Sequence, residues 1–312
     1  MNALVFQVLT LLVTAGGPAP SDNVLLKELV KRGVEMPNGQ VVCLPDPTMA
    51  EGLNEEQQAA VLKAVAPRGQ VEEFLDKASS APISLKLVKS NVGNDFTRKV
   101  NLCFVVYGDW NVLTSDQFSN SILKGGKPNN ANNGSMVSKA GYLKAAELAA
   151  RVLSTRSTPS LKEYFLYTTL DLFQRVELSA TRFCVATKTP TGVIVAAKVD
   201  PRLARDKEYP NQWRAINKGA AAVAELGPPQ PYSGAAFYAK VTRLIKPENA
   251  IFVEFHEVFY EPRAWFGQDE NLMPSELRKI IPFQVKQFRI KLLRATLDQT
   301  AKKSSEETPV AN

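Results

Sequence analysis

Two runs rich in β-branched and aromatic residues, Ala235–Leu244 and Ala250–Glu261, are joined only by a short connection across Lys246–Asn249. Extended segments linked so closely can pair only as antiparallel neighbours, because a parallel pair needs a crossover of a dozen residues or more. A second pair repeats the arrangement: Arg175–Thr189 leads through Thr189-Pro190-Thr191-Gly192 into Val193–Val199. Upstream, Ile83, Leu85 and Leu87 alternate with polar residues, and Lys99–Trp110 is apolar on both faces, as in a central strand. In Arg175–Thr189 the apolar positions shift from Val176, Leu178 and Ala180 to Phe183 and Val185. A change from even to odd predicts a β-bulge near Thr181 and Arg182.

Helical patterns flank these strands. Ser21 or Asp22 caps a helix whose inward side chains are Leu25, Leu26, Leu29 and Val30, stopped by Gly33. Asn38-Gly39 between short extended runs predicts a type I′ hairpin. Asn54, with Gln57 three residues on, opens a second helix, and Val71–Ala78 forms a third. Composition makes Ala140–Ser154 helical. At the C-terminus Ile281, Val285, Phe288, Leu292 and Ala295 recur at helical spacing, with Pro282 expected to end or kink anything before it. Consecutive hairpins with helices grouped at the ends define the α+β class. The expected fold is a long, bent antiparallel sheet, a curved sheet or partial barrel, packed by helices that include an amphipathic C-terminal one. It is expected as one domain over 21–300, with a small helical and hairpin subdomain over 21–80 as the alternative. Residues 301–312 read as a disordered tail, and the Gly- and Asn-rich stretch Lys124–Met136, with an Asn133-Gly134-Ser135 glycosylation acceptor, reads as a loop.

The chain opens with an apolar run from Ala3 to Ala15, too short for the roughly 20 residues of a membrane span. Val13-Thr14-Ala15 fits the small-residue cleavage pattern, so residues 1–15 are expected to be a signal peptide and the protein to be exported. No Lys or Arg precedes the run, which departs from that pattern. Three cysteines, Cys43, Cys103 and Cys184, are too few and too far apart for a disulfide scaffold or a zinc motif. Cys103 and Cys184, inside apolar runs, read as small buried hydrophobes, with one disulfide open to an exported protein.

Charge is concentrated rather than spread. Between Ser275 and Lys303 eight basic residues and two acids account for +6 of the net +7. Lys286, Arg289, Lys291 and Arg294 are expected on the outer side of the C-terminal helix; an ordinary solvated face is the preferred reading, and an anionic membrane surface, a polyanion or an acidic protein are the partners it could bind. Nucleic acid is the least expected partner of an exported protein.

His256 is the only histidine in 312 residues and is flanked by Glu254 and Glu257. On a strand, residues two apart share a face, so His256 faces with Glu254, and Glu257 points away. The zincin motif needs a second histidine on a helix, and position 260 is Tyr. Glu254 and His256 therefore form either a proton-transfer pair or the polar face of a hairpin; the second is preferred, and that face is expected to look into water. Trp110, Trp213 and Trp265, each at a strand end or in a loop, could rim a binding pocket, although plugging their own loops is the favoured reading. There is no P-loop, no G-x-G-x-x-G, no G-x-S-x-G and no EF-hand loop, so no cofactor and no metal is expected. The leading expectation is a non-catalytic protein holding a small apolar or lipid-like ligand in a cavity of the curved sheet. A paired-carboxylate hydrolase and a protein docking through its basic helix are the alternatives.

Overall fold

The computed structural model describes residues 23–115, 117, 118, 121, 136–218, 224–267 and 269–306. The leader over 1–15, Ser21 and Asp22, the loop over 124–135 and the tail over 307–312 lie outside these residues.

The chain begins as a thin layer: α1 (Val24–Lys31), β1 (Val34–Glu35), β2 (Val41–Val42), α2 (Glu55–Val65) and α3 (Val71–Phe74). Asn23 caps α1, accepting from Leu26 N at 2.9 Å and donating to Val185 O at 2.9 Å, so the cap also ties the helix to the sheet. α2 has the full capping box of Asn54 and Gln57. β1 and β2 do form a hairpin. Its turn is not type I′, however, because Gly39 has positive φ and Asn38 does not. A five-residue connection over 36–40 relieves the need for two left-handed residues.

The sheet follows: β3 (Ser84–Val92), β4 (Asp95–Tyr107), then α4 (Trp110–Leu113), β5 (Met136–Tyr142), α5 (Ala145–Ala149), β6 (Leu161–Leu172), β7 (Val176–Lys188), β8 (Gly192–Val199), β9 (Gln212–Lys218), β10 (Ala224–Leu226), β11 (Gln230–Pro231), β12 (Ala235–Arg243) and β13 (Ala250–Glu261). These eleven strands make one curved, open antiparallel sheet, running β3-β4-β13-β12-β8-β7-β6-β5. β9 branches from the first half of β7 and carries β10 and β11. Both expected hairpins, β7–β8 and β12–β13, are present.

Two further local expectations are corrected. β7 keeps an unbroken register with β6 from Leu161↔Thr187 to Leu172↔Val176, so there is no bulge between them at Thr181 and Arg182. Even positions of β7 stay on one face throughout; its odd residues Phe183 and Val185 are simply covered by the N-terminal layer as well. At Thr181 the strand changes partner from β9 to β8. The helix expected over 140–154 shrinks to five residues, because 136–142 pairs with β6 as an edge strand.

α6 (Leu272–Glu306) closes the molecule. It runs through Pro282, whose ring sits on the exposed side, and continues to Glu306 past the expected start of the tail at 301. Ile281, Val285, Phe288 and Leu292 are buried against β4 and its neighbours. Each contributes roughly 1.5–3 kcal/mol by leaving water. Gly108 makes the close approach possible: a Cβ there would lie 2.7 Å from Leu292 Cγ.

The result is three layers, with α6 on one face of the sheet and residues 23–80 on the other. The N-terminal layer shares its apolar clusters with the sheet. Leu25, Leu29 and Leu44 pack on Ile194, Tyr238 and Val258, while Met49, Leu62 and Phe74 pack on Cys103, Val105 and Phe252. No helix among the described residues is long and apolar enough to cross a membrane.

Candidate functional site

β13 separates its side chains as the alternation predicts. Phe252, Glu254, His256 and Val258 face the N-terminal layer, while Val253, Phe255, Glu257 and Phe259 face α6. The expectation that the Glu254 face looks into water is overturned: Glu254 is fully buried and His256 is 5% exposed. The reason is the loop before α2, which lies across this face. Glu254 accepts from Thr48 N at 2.8 Å, Thr48 Oγ1 at 2.6 Å and Met49 N at 3.3 Å. Its cross-strand neighbour Lys240, also buried, donates to Met49 O and pairs with Glu51 at 2.8 Å. Burial pushes the Glu51 carboxyl up, but hydrogen bonds from Lys240 and Thr191 more than offset this and leave it below its ordinary value. Acid and base together latch the loop to the sheet.

His256 sits at the edge of this latch. Its Nδ1 lies 2.7 Å from Asn101 Oδ1, directly across the strand pair. An amide oxygen only accepts, so Nδ1 donates this bond. Nε2 is buried without a hydrogen-bond partner, 3.8 Å from Glu254 Oε2, and the ring packs at 4.9 Å on Tyr238. Cys103, across from Glu254, has its thiol pushed up to about 12 by burial and by the adjacent carboxyl. It is a buried neutral thiol, as are its kin in the core: burial likewise raises Cys184 to about 12. All three cysteines are free.

The α6 face carries a different set. Burial raises Glu257 to about 8, and Arg182 pulls it partly back. Glu261, on the same face, is gripped by Arg98 through Nε at 2.7 Å and Nη2 at 2.8 Å. The two carboxyls stand four residues apart, roughly 13 Å along the strand, beyond the 5–9.5 Å that glycosidase pairs require. Trp213 and Trp265 do converge, with ring centroids 6.3 Å apart, and Trp265 stacks on Tyr232 at 5.7 Å. Trp110 does not join them; it lies in α4 under the Arg243 guanidinium, 4.9 Å away. Beside Trp265 and Glu257 the open space is about 10 Å³, room for one water at most. Side chains of the sheet and α6 fill the space between them here, so there is no ligand-sized cavity at this point.

The expected basic surface is also smaller than the sequence suggests. Lys286 and Arg294 are exposed, but Lys291 is half-buried, and burial holds its pKa below the ordinary value. Arg289 is not on the outer side at all. It is 6% exposed and donates to the carbonyls of Val105, Ser79, Ala81 and Pro82, stapling α6 to the end of the N-terminal layer. Burial lowers it to about 10, with Asp76 opposing.

An opening of about 360 Å³ lies where sequence reading did not look, between α1 and the sheet face carrying Phe183. Val24, Leu25, Leu161, Phe183 and Val185 supply an apolar floor. Three acid–base pairs stand around it: Glu28–Lys198 at 2.7 Å, Arg156–Glu163 at 2.5 Å and Asp200–Arg202 at 2.5 Å. Glu163 and Asp200 are nearly buried, while the arginines they hold reach into solvent. The one sequence signal was the odd-numbered pair Phe183 and Val185 on β7, which marked a second apolar face. Comparison of the chain with protein-family models and with curated proteins returned no match, which leaves this groove, the two buried clusters and the outer face of α6 as the grounds for assigning a function.

Proposed function

We propose that the chain is an exported, non-catalytic protein that binds a small amphipathic molecule in the groove between α1 and the sheet. The observation that carries this reading is the groove itself: an opening of about 360 Å³ with an apolar floor and a charged rim. That volume falls within the range of small-molecule sites, which are mostly apolar with a few polar groups for orientation. The rim's acids and bases neutralise one another, so it favours an uncharged or zwitterionic head over a strongly charged one. A tail would lie on Leu161, Phe183 and Val185, with its head at the Asp200–Arg202 turn. Export rests on the Ala3–Ala15 run and its Val13-Thr14-Ala15 end.

Native mass spectrometry of the full protein from its own source is expected to show a bound small molecule, and Leu161→Asp is expected to lose it. An empty wild-type groove, or equal occupancy in the variant, would overturn the proposal. N-terminal sequencing of the secreted protein should begin after Ala15 if the leader is cleaved.

A further inference from the structure

α6 is apolar on two sides. The side packed on the sheet is buried. On the opposite side Phe283, Leu293 and Leu297 are 45%, 50% and 60% exposed, and half-buried Ile290 falls between them. Phe283, Ile290 and Leu297 recur every seven residues, so they line up along roughly 21 Å of one helix face. The outer side of a helix packed on a globular core is normally polar. Here it holds four large apolar side chains, with Lys286 and Arg294 among them. Neither base has an ion-pair partner among the described residues; Lys279, two turns before Lys286, is paired with Glu276 at 2.7 Å. Asp298 lies at the margin of the face.

We infer that this face docks on an anionic lipid bilayer surface, with Phe283, Ile290, Leu293 and Leu297 entering the headgroup boundary and Lys286 and Arg294 meeting lipid phosphates. Charge decides between the bilayer and a second copy of the chain. An antiparallel pairing of two α6 helices centred on Ile290 would match Phe283 with the other copy's Leu297. It would also set Lys286 against the other copy's Arg294, twice, with no acid to separate them, and like charges in contact oppose such a pairing. An anionic surface answers both requirements, because long basic side chains can lie along the apolar boundary with their charges among the phosphates. The ligand groove lies on the other face of the sheet, so this docking does not depend on it.

Co-sedimentation of the full chain with phosphatidylcholine vesicles, with and without phosphatidylglycerol, tests the inference. Binding should require the anionic lipid and weaken as salt rises. Lys286→Gln with Arg294→Gln should reduce partitioning about 25-fold, at about fivefold per basic residue. Leu293→Ser with Leu297→Ser should also reduce it, and both double variants should melt like the parent because all four positions are exposed. Absence of binding at low salt, or equal binding to neutral vesicles, would overturn the inference. So would a concentration-dependent dimer by light scattering that Leu293→Ser with Leu297→Ser dissolves, since a second copy would then cover the face.

Discussion

Glu254 and Glu257 are three residues apart on one strand, both buried, and they meet opposite environments. Glu254 faces a loop and accepts three hydrogen bonds from Thr48 and Met49. Glu257 faces the apolar underside of α6, where burial raises its carboxyl to about 8. A buried carboxyl can be satisfied by donors or kept neutral, and this strand does one on each side. The consequence differs. On the first face, the position of an entire chain segment depends on a side chain of the sheet. On the second, stability depends on pH.

The largest effect should come from breaking the latch. Glu254→Ala removes the acceptor of two backbone N–H groups and one hydroxyl, and it leaves buried Lys240 beside an empty space. A loss of about 4 kcal/mol is expected from urea unfolding. The loop over 45–51 should also become a site of early proteolysis. A loss under about 1 kcal/mol, with unchanged cleavage, would show that the apolar contacts of Met49, Leu62 and Phe74 hold the layer without the latch.

Glu257 sharpens the contrast through pH. Its folded-state value of about 8 lies above the ordinary 4.5, so the folded chain keeps a proton that the unfolded chain releases. That contribution to stability is complete below about 4.5, shrinks as pH rises and is gone once pH passes 8. Glu257→Gln should therefore match the parent at pH 5 and exceed it by on the order of 3 kcal/mol at pH 9. Parallel pH profiles for the two proteins would mean that Arg182 offsets the effect of burial on Glu257.

How much of this was legible in the sequence follows from the range of each interaction. The hairpin β12–β13, the Asn54–Gln57 capping box and the buried side of α6 rest on neighbours close in the chain, and the sequence pattern located all three. Turn chemistry misled in both directions. Asn38-Gly39 was the obvious type I′ pair and adopts another turn, whereas Phe173 and Gln174, with no such signature, both take positive φ between β6 and β7. There the twelve-residue pairing of β6 with β7 outweighs local preference. Arg289 and His256 were misplaced for a related reason. Alternation and helical periodicity say which residues share a face, and they carry no information about what covers it. Thr48 and Met49 reach over the face that Glu254 and His256 share, and the carbonyls of 79–82 receive Arg289, each from more than 150 residues away. The groove beside α1 was hidden for the same reason, apart from the Phe183 and Val185 signal, since its walls come from four separate stretches of the chain.

The smallest effect is expected at the residue that first invites attention. His256 contributes one hydrogen bond, to Asn101, and a ring face against Tyr238, while its Nε2 is buried without a hydrogen-bond partner. His256→Phe keeps the ring packing, loses the bond and also removes the unsatisfied nitrogen. The two polar effects oppose each other, so a net loss of about 1 kcal/mol or less is expected. Ligand occupancy of the α1 groove should not change, because His256 does not line it. A loss above about 3 kcal/mol would make His256 a member of the latch equal to Glu254. Loss of the bound ligand in a variant that remains folded would instead place the functional centre on the Glu254 face, with the histidine in it.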